Sequence, residues 1–324
     1  MSRSRLIPAL ALGAASLVLA GCAGAAPAAE PSDDASAEAV TVENCGVEVS
    51  FDAAPSRVLT IKSTSTEMLL ALGLGDRIIG TAFQDGPVPE QWADAASGLT
   101  EVSDKVPGNE VVLDSEPDMV YAGWESNFSA DGAGERSELQ ALGVSTYVSP
   151  AACRSADVPE QLSFDDVFRE IEEVASIFRV DAATLVDEQR AELDAIQPAE
   201  GSPTALWFSS GSDTPYVGGG IGAPQLVMST AGLENIAADI DQAWSPYNWE
   251  AVIDADPDVL VLVDSDWNTA ENKIGILEAN PATAELTAVR EGSYVIVPFA
   301  ASEAGVRSVE AAASIADQLA EIGY

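Results

Sequence analysis

Short apolar runs and helical periodicities alternate along most of the chain. Runs over 57–61, 77–79, 119–122 and 146–148 read as buried strands, and 47–51 alternates in the manner of a hairpin strand. Between them, Ser63 to Thr66 offer capping side chains for a helix over 67–72 that stops at Gly73 and Gly75, and a second helix is expected near 137–142. Ser163 then opens a long helical stretch in which Phe164, Val167, Phe168, Ile171, Val174, Ala175 and Phe178 recur on one face. Val180 and Asp181 interrupt it, and the helix resumes over 182–196 before Pro198. Strands follow over 204–208, 259–263 and 294–297, and an amphipathic helix over 306–322 closes the chain. Glycines from 218 to 222, with Pro224, lead into a helix over 225–231. Free N–H groups at that start suit an anion, and a plain turn fits equally well; the Lys-Ser/Thr of a phosphate-binding loop is missing.

One pattern occurs twice. Glu110 precedes Pro117-Asp118 by the spacing at which Glu250 precedes Pro257-Asp258, with apolar matches at 112/252 and 113/253 and acidic matches at 114/254 and 116/256. An apolar run follows each Pro-Asp pair. Each copy reads as a short helix that ends before the proline, because the residue before Pro is driven out of the α region, and then a buried strand. The duplication predicts an α/β fold of two Rossmann-like lobes with mainly parallel sheets, joined by the long helix. The expected division is an N-terminal lobe over 41–162, a connecting helix over 163–198 and a C-terminal lobe over 199–324. Each glutamate stands at a helix start, where the dipole favours a negative charge.

Charge narrows the function. Against 53 Asp and Glu there are 14 Lys and Arg, and no histidine. Such a surface repels nucleic acid, and the missing imidazole removes Ser-His-Asp triads, Cys-His dyads and His-ligated zinc. The N-terminus reads as an export signal over 1–21: Arg3 and Arg5, an apolar run from Leu6 to Leu19 too short to span a membrane, then Ala20-Gly21-Cys22. Small residues before a cysteine look like a bacterial lipobox, which makes Cys22 the expected lipidation site and membrane anchor. The stretch over 22–40 is Ala, Pro, Ser and acidic residues without periodicity and reads as a disordered tether.

The unit from Thr64 to Gly80, together with the two Glu…Pro-Asp units, resembles the class III solute-binding proteins of ABC importers, which bind iron-siderophores, haem and cobalamin. The resemblance runs from about Val40 to the C-terminus. It implies a monomeric, extracytoplasmic binding protein, neither enzyme nor cofactor carrier, that delivers a small solute to a permease dimer and its ATPase subunits. It also implies that the connecting helix holds the lobes nearly rigid and that Glu110 and Glu250 meet permease arginines. Asp85 to Pro89, Gly123 to Asp131 and Ser149 to Cys153 look like an actinobacterial subgroup proposed to carry a precursor of the deazaflavin coenzyme. By class, the alternatives are an extracellular hydrolase using paired carboxylates, which no carboxylate pair beside a nucleophile supports, and a metal-ion receptor, which would lack its usual histidines.

Candidate ligand contacts follow from position. Trp124 lies in a polar-aromatic loop at a strand's C-terminal end, where open α/β sheets bind ligands. Lys62, Arg154 and Arg307 also follow strands, and three cations converging on the cleft of so acidic a protein would select an anionic solute. Trp207, Tyr216, Trp244, Tyr247 and Trp267 offer stacking faces for a planar group, some of them being core. Cys45 and Cys153 lie outside the cell on this reading and can form a disulfide, with a pocket thiol beside Arg154 as the competing use of Cys153.

Overall fold

The computed structural model describes residues 38–154 and 161–324; the expected signal, the expected lipidation site Cys22 and nearly all of the tether lie outside them. The described chain opens with the antiparallel hairpin of β1 (Val40–Asn44) and β2 (Val47–Phe51). Then come β3 (Val58–Ile61), α1 (Ser63–Ala71), β4 (Ile78–Ala82), α2 (Ala93–Ala96), β5 (Glu101–Ser103), α3 (Asn109–Asp114), β6 (Met119–Ala122), α4 (Arg136–Ala141) and β7 (Ser145–Val148). Five of these strands form a parallel sheet in the order β5-β4-β3-β6-β7. Its central strands β3 and β6 are buried along their whole length, which is why they read as unbroken apolar runs. The hairpin is tied to the sheet edge by Asn44, whose side chain donates to the Val148 carbonyl (2.7 Å) and accepts from the Val148 amide (2.8 Å). Beside it Cys45 and Cys153 are joined in a disulfide, with Cα atoms 5.2 Å apart.

Two helices, α5 (Phe164–Phe178) and α6 (Ala183–Ala195), fill the connecting stretch. Ser163 caps α5 in a capping box with Asp166, and the helix stops where Arg179 turns left-handed (φ 58°). The Arg179 guanidinium donates to the Asp52 carbonyl (2.8 Å), so the break is held by the hairpin. The second half contains β8 (Thr204–Ser210), β9 (Tyr216–Gly218), α7 (Ala223–Thr230), β10 (Glu234–Asn235), β11 (Trp244–Pro246), α8 (Trp249–Ala255), β12 (Val259–Asp264), α9 (Ala270–Ala279), α10 (Thr287–Glu291), β13 (Tyr294–Pro298) and α11 (Ser308–Ile322). Its six-stranded sheet runs β11-β9-β8-β12-β13 with β10 beside β8. The pairs of β8 with β10 and β12, and of β12 with β13, are parallel, whereas β9 and β11 are antiparallel additions at the edge. The fold is thus α/β in two lobes, one sheet parallel and the other mixed. A continuous core runs from Met119, Tyr121 and Tyr147 through Phe168, Ile171 and Val174 of α5 to Trp207, Val261 and Val295.

The duplicated pattern is one structural device. After α3 the chain turns left-handed at Glu116 (φ 48°), and after α8 at Asp256 (φ 42°), each immediately before its proline. The proline disfavours the right-handed region at its predecessor, and in both copies that residue instead takes a left-handed turn that ends the helix. The aspartate that follows then grips the chain entering a central strand. Asp118 accepts from the Ser56 amide (2.8 Å), the Ser56 hydroxyl (2.7 Å) and the Arg57 amide (3.0 Å). Asp258 accepts from the Thr204 amide (2.8 Å) and hydroxyl (2.7 Å).

Two local expectations change. Helix α1 begins at Ser63, not at Glu67, because the Ser65 hydroxyl bonds back to the Ile61 and Lys62 carbonyls and needs no place at a cap. The glycine run before α7 is spent on close packing: a Cβ at Gly219 would meet the Gln242 carbonyl oxygen at 2.2 Å and one at Gly220 the Ala238 oxygen at 1.9 Å.

Candidate functional site

A cavity of about 760 Å³ opens between the two sheets. Its lining comes from residues that follow strands: Thr64 after β3, Gly123 and Trp124 after β6, Ser149 and 151–154 after β7, and Glu303 and Ala304 after β13. Ser209 at the end of β8, Tyr216 on β9, Ile221 to Ala223, and 241–244 complete the second wall. This is the place at which an open parallel sheet leaves backbone groups and loop side chains free for a ligand.

Trp124 stands at the junction of the lobes. Its ring meets Phe83 edge-on (5.8 Å, 89°) and Phe299 at a tilt (6.4 Å, 60°), and its indole N–H donates to Glu303 Oε1 at 2.7 Å. The Lys62 ammonium lies 4.1 Å from the Trp124 ring centroid, 4.5 Å from that of Phe83 and 4.6 Å from that of Phe299. It is paired with the Asp85 carboxylate, which also accepts from the Ser63 amide (3.2 Å). Burial, reinforced by the Asp85 charge, pushes Glu303 up to about 7 against the pull of Lys62. Burial likewise raises Asp85, the Lys62 charge opposing it.

On the opposite wall Tyr216 and Trp244 lie on neighbouring antiparallel strands with their rings almost parallel (7°) and 6.5 Å apart. They form a broad aromatic face. Arg154, exposed, stands across from them, and its backbone amide donates to the Glu125 carboxylate. Among the described residues, the titratable side chains lining the cavity besides Tyr216 are Arg154, Asp241 and Glu303.

Of the expected ligand contacts, Trp124, Arg154, Tyr216 and Trp244 line the cavity. The expected convergence of three cations is not found. Lys62 is 1% exposed and neutralised by Asp85 beneath the aromatic rings. Arg307 is buried away from the cavity, 2.9 Å from Glu310 and 3.6 Å from Glu67. Burying a cation without a partner is so costly that each is paired with a carboxylate, Lys62 with Asp85 and Arg307 with Glu310. Trp207 is wholly buried in the core, and Tyr247 packs in the second lobe with its hydroxyl near the Ile236 carbonyl (3.5 Å). Trp267 is 59% exposed, edge-on to Phe299 (5.4 Å), and is not part of the lining. Cys153 lines the cavity as a disulfide, not as a thiol. Residues not anticipated are Thr64, Ser149, Asp241, Gln242 and Glu303. Ser149 and Glu303 carried the signal that singled out Trp124, a polar group just past a strand.

Glu110 and Glu250 are exposed in the first turns of α3 and α8. Val111 and Leu113, each 37% exposed, flank Glu110.

A family profile described as periplasmic binding protein matches residues 58–301. An uncharacterized ABC transporter substrate-binding lipoprotein of Bacillus subtilis is 24% identical over 95% of both chains. A vitamin B12-binding protein of Yersinia pestis is 26% identical over 64% of this chain and 70% of its own. Among solved structures, an ABC-type Fe3+-hydroxamate transport system protein from Saccharomonospora viridis superposes with a TM-score of 0.73 at 25% identity. That match covers 86% of this chain and 98% of the other.

Proposed function

The chain belongs to the periplasmic binding protein family, and on that premise we propose that it is the lipid-anchored receptor of an ABC importer for a bulky metal chelate of the ferric hydroxamate or corrinoid type. The observation that carries the choice of solute is the charge of the cleft. With Lys62 paired to Asp85 and Arg307 to Glu310, the lining holds, among the described residues, one cation against two acids, so a strongly anionic solute gains little there. The aromatic wall of Tyr216 and Trp244, facing Trp124, suits the apolar flank of a chelate whose metal is enclosed in its organic shell. Relatives named for vitamin B12 and Fe3+-hydroxamate support the same class. A deazaflavin precursor would lay its ring on Tyr216 and Trp244 but leave its phosphate to Arg154 alone.

In this reading Glu110 and Glu250 dock on the permease. They occupy equivalent places in the two lobes and are exposed, and α3 adds the apolar Val111 and Leu113 beside its acid. Two like sites meet the two-fold related halves of a permease dimer. Cys22 holds the receptor at the membrane, as the name of the Bacillus subtilis relative implies for that protein.

The test is a titration of the purified chain with ferrioxamine B, cyanocobalamin, haemin and a deazaflavin phosphate, followed by tryptophan emission. Saturable quenching by ferrioxamine B or cyanocobalamin at micromolar concentration or below is expected. Binding of the deazaflavin phosphate alone, or turnover of esters or glycosides, would overturn the proposal.

A further inference from the structure

The first turn of α1 keeps unused hydrogen-bonding capacity at the floor of the cavity. Thr64 is 5% exposed and lines the cavity, yet its hydroxyl has no partner among the described residues. Buried hydroxyls almost always have one, so an exception calls for an explanation. The backbone amides of Thr64 and Ser65 likewise donate to nothing among the described residues, as the start of a helix requires. The neighbouring groups are engaged. The Ser63 hydroxyl accepts from the Asp85 amide (2.8 Å), the Ser65 hydroxyl donates to the Ile61 carbonyl (2.8 Å), and the Thr60 and Thr66 hydroxyls bond each other (2.7 Å).

The surroundings hold this turn open. Lys62, just before the helix, has φ 84°, a region that a side-chain-bearing residue adopts only when its surroundings impose it. Here the imposition is visible: Asp85 grips the ammonium, three rings surround it, and the Lys62 amide donates to the Ala82 carbonyl at 3.0 Å. Across the floor stands Gly123. A Cβ there would lie 2.6 Å from Thr64 Oγ1 and 2.8 Å from Lys62 Cβ, so only glycine leaves the hydroxyl clear.

We propose that the Thr64 hydroxyl and the first-turn amides of α1 form a subsite for a neutral carbonyl oxygen of the solute, of the amide or hydroxamate class. The positive end of the helix attracts an oxygen acceptor. The Lys62–Asp85 pair beside Ser63 adds no net charge, and the Glu303 carboxyl on the same cavity disfavours an acceptor bearing full negative charge. The inference rests on the cleft being the solute site and adds to it the group that the floor recognises.

Isotope-labelled protein titrated with acetohydroxamate, N-methylacetamide, acetate and phosphate, with amide NMR signals followed, tests the subsite without requiring the natural solute. The Thr64 and Ser65 signals should move saturably with the two neutral probes and not with acetate or phosphate. Thr64→Val, which keeps the side-chain shape, should weaken binding of the neutral probes about threefold to tenfold, the scale of one hydrogen bond, and Thr64→Ser should retain it. Amide signals elsewhere report whether each variant is folded. Unmoved signals, a stronger response to acetate or phosphate, or equal affinity in the Val variant would each overturn the subsite. If ferrioxamine B and cyanocobalamin both fail to bind while these shifts occur, the solute class falls and the subsite stands.

Discussion

Replacing Glu67 by glutamine should stabilise the protein, and by an amount that grows with pH. Glu67 is 2% exposed on α1, with the Arg307 guanidinium of the other lobe 3.6 Å away. Burial dominates its titration: the attraction of Arg307 is outweighed, Glu310 and Asp85 add repulsion, and the carboxyl is pushed from 4.5 up to about 8. Unfolded, the same group releases its proton near pH 4.5. Between those two values the folded chain keeps a proton that the unfolded chain has lost. Stability therefore falls as pH rises through this window, at about 1.4 kcal/mol per pH unit, and the loss accumulates to at most about 5 kcal/mol. Glutamine has the shape of the protonated acid and cannot ionise. The variant should match the wild type near pH 4.5 and exceed it by roughly 2–5 kcal/mol at pH 8 and above. Urea unfolding of the two chains at pH 5, 6, 7 and 8.5 reads the difference from the transition midpoints. A variant less stable by the same amount at every pH would refute the reasoning, because it would mean that Glu67 is ionised throughout and that its pairing with Arg307 stabilises the fold.

Changing Glu110 and Glu250 together to alanine should leave chelate affinity intact while cellular uptake and receptor-stimulated ATPase activity fall; normal uptake by the double variant would end the docking assignment. Native docking itself should weaken with salt, as expected for steering by charge. Cys22→Ala should shift the protein from the detergent phase to the aqueous phase in a partition assay, and a variant still carrying lipid would remove the anchor. Reduction, or Cys45→Ser with Cys153→Ser, opens a crosslink spanning 108 residues and should lower unfolding free energy by ~4–5 kcal/mol on the chain-entropy account. An unchanged urea midpoint would refute the chain-entropy account for this loop.

The architecture was legible because strands buried on both faces must be apolar throughout, as at 58–61 and 259–263. The duplicated Glu…Pro-Asp pattern was legible because a proline and an aspartate have few ways to follow a helix. The fate of the cations was not. Lys62 is cancelled by Asp85, 23 residues further on, and nothing local marks that partner; Arg307 is held by Glu310, three residues on, but its burial beside Glu67 from the far end of the chain is set by the fold. The aromatics divided by strand position. Trp207 lies on β8, paired on both sides by β12 and β9, and is enclosed; Trp244 lies on the edge strand β11 and reaches the cavity. Sequence identifies a strand more readily than its rank within a sheet, so stacking candidates and core residues looked alike. The sequence places Thr64 among the caps of α1, whereas its unpartnered hydroxyl lies at the floor of the cleft.

The aspartate grips at Asp118 and Asp258 bear on how a permease could sense its receptor. Each ties the segment after the helix bearing Glu110 or Glu250 to the root of a central strand, so each glutamate is carried on a bracket fixed to its own sheet. Two marks mounted on two stiff plates act as a gauge: their spacing changes with the angle between the plates. A partner that held both carboxylates at once would read the angle between the lobes as a length, without touching the solute.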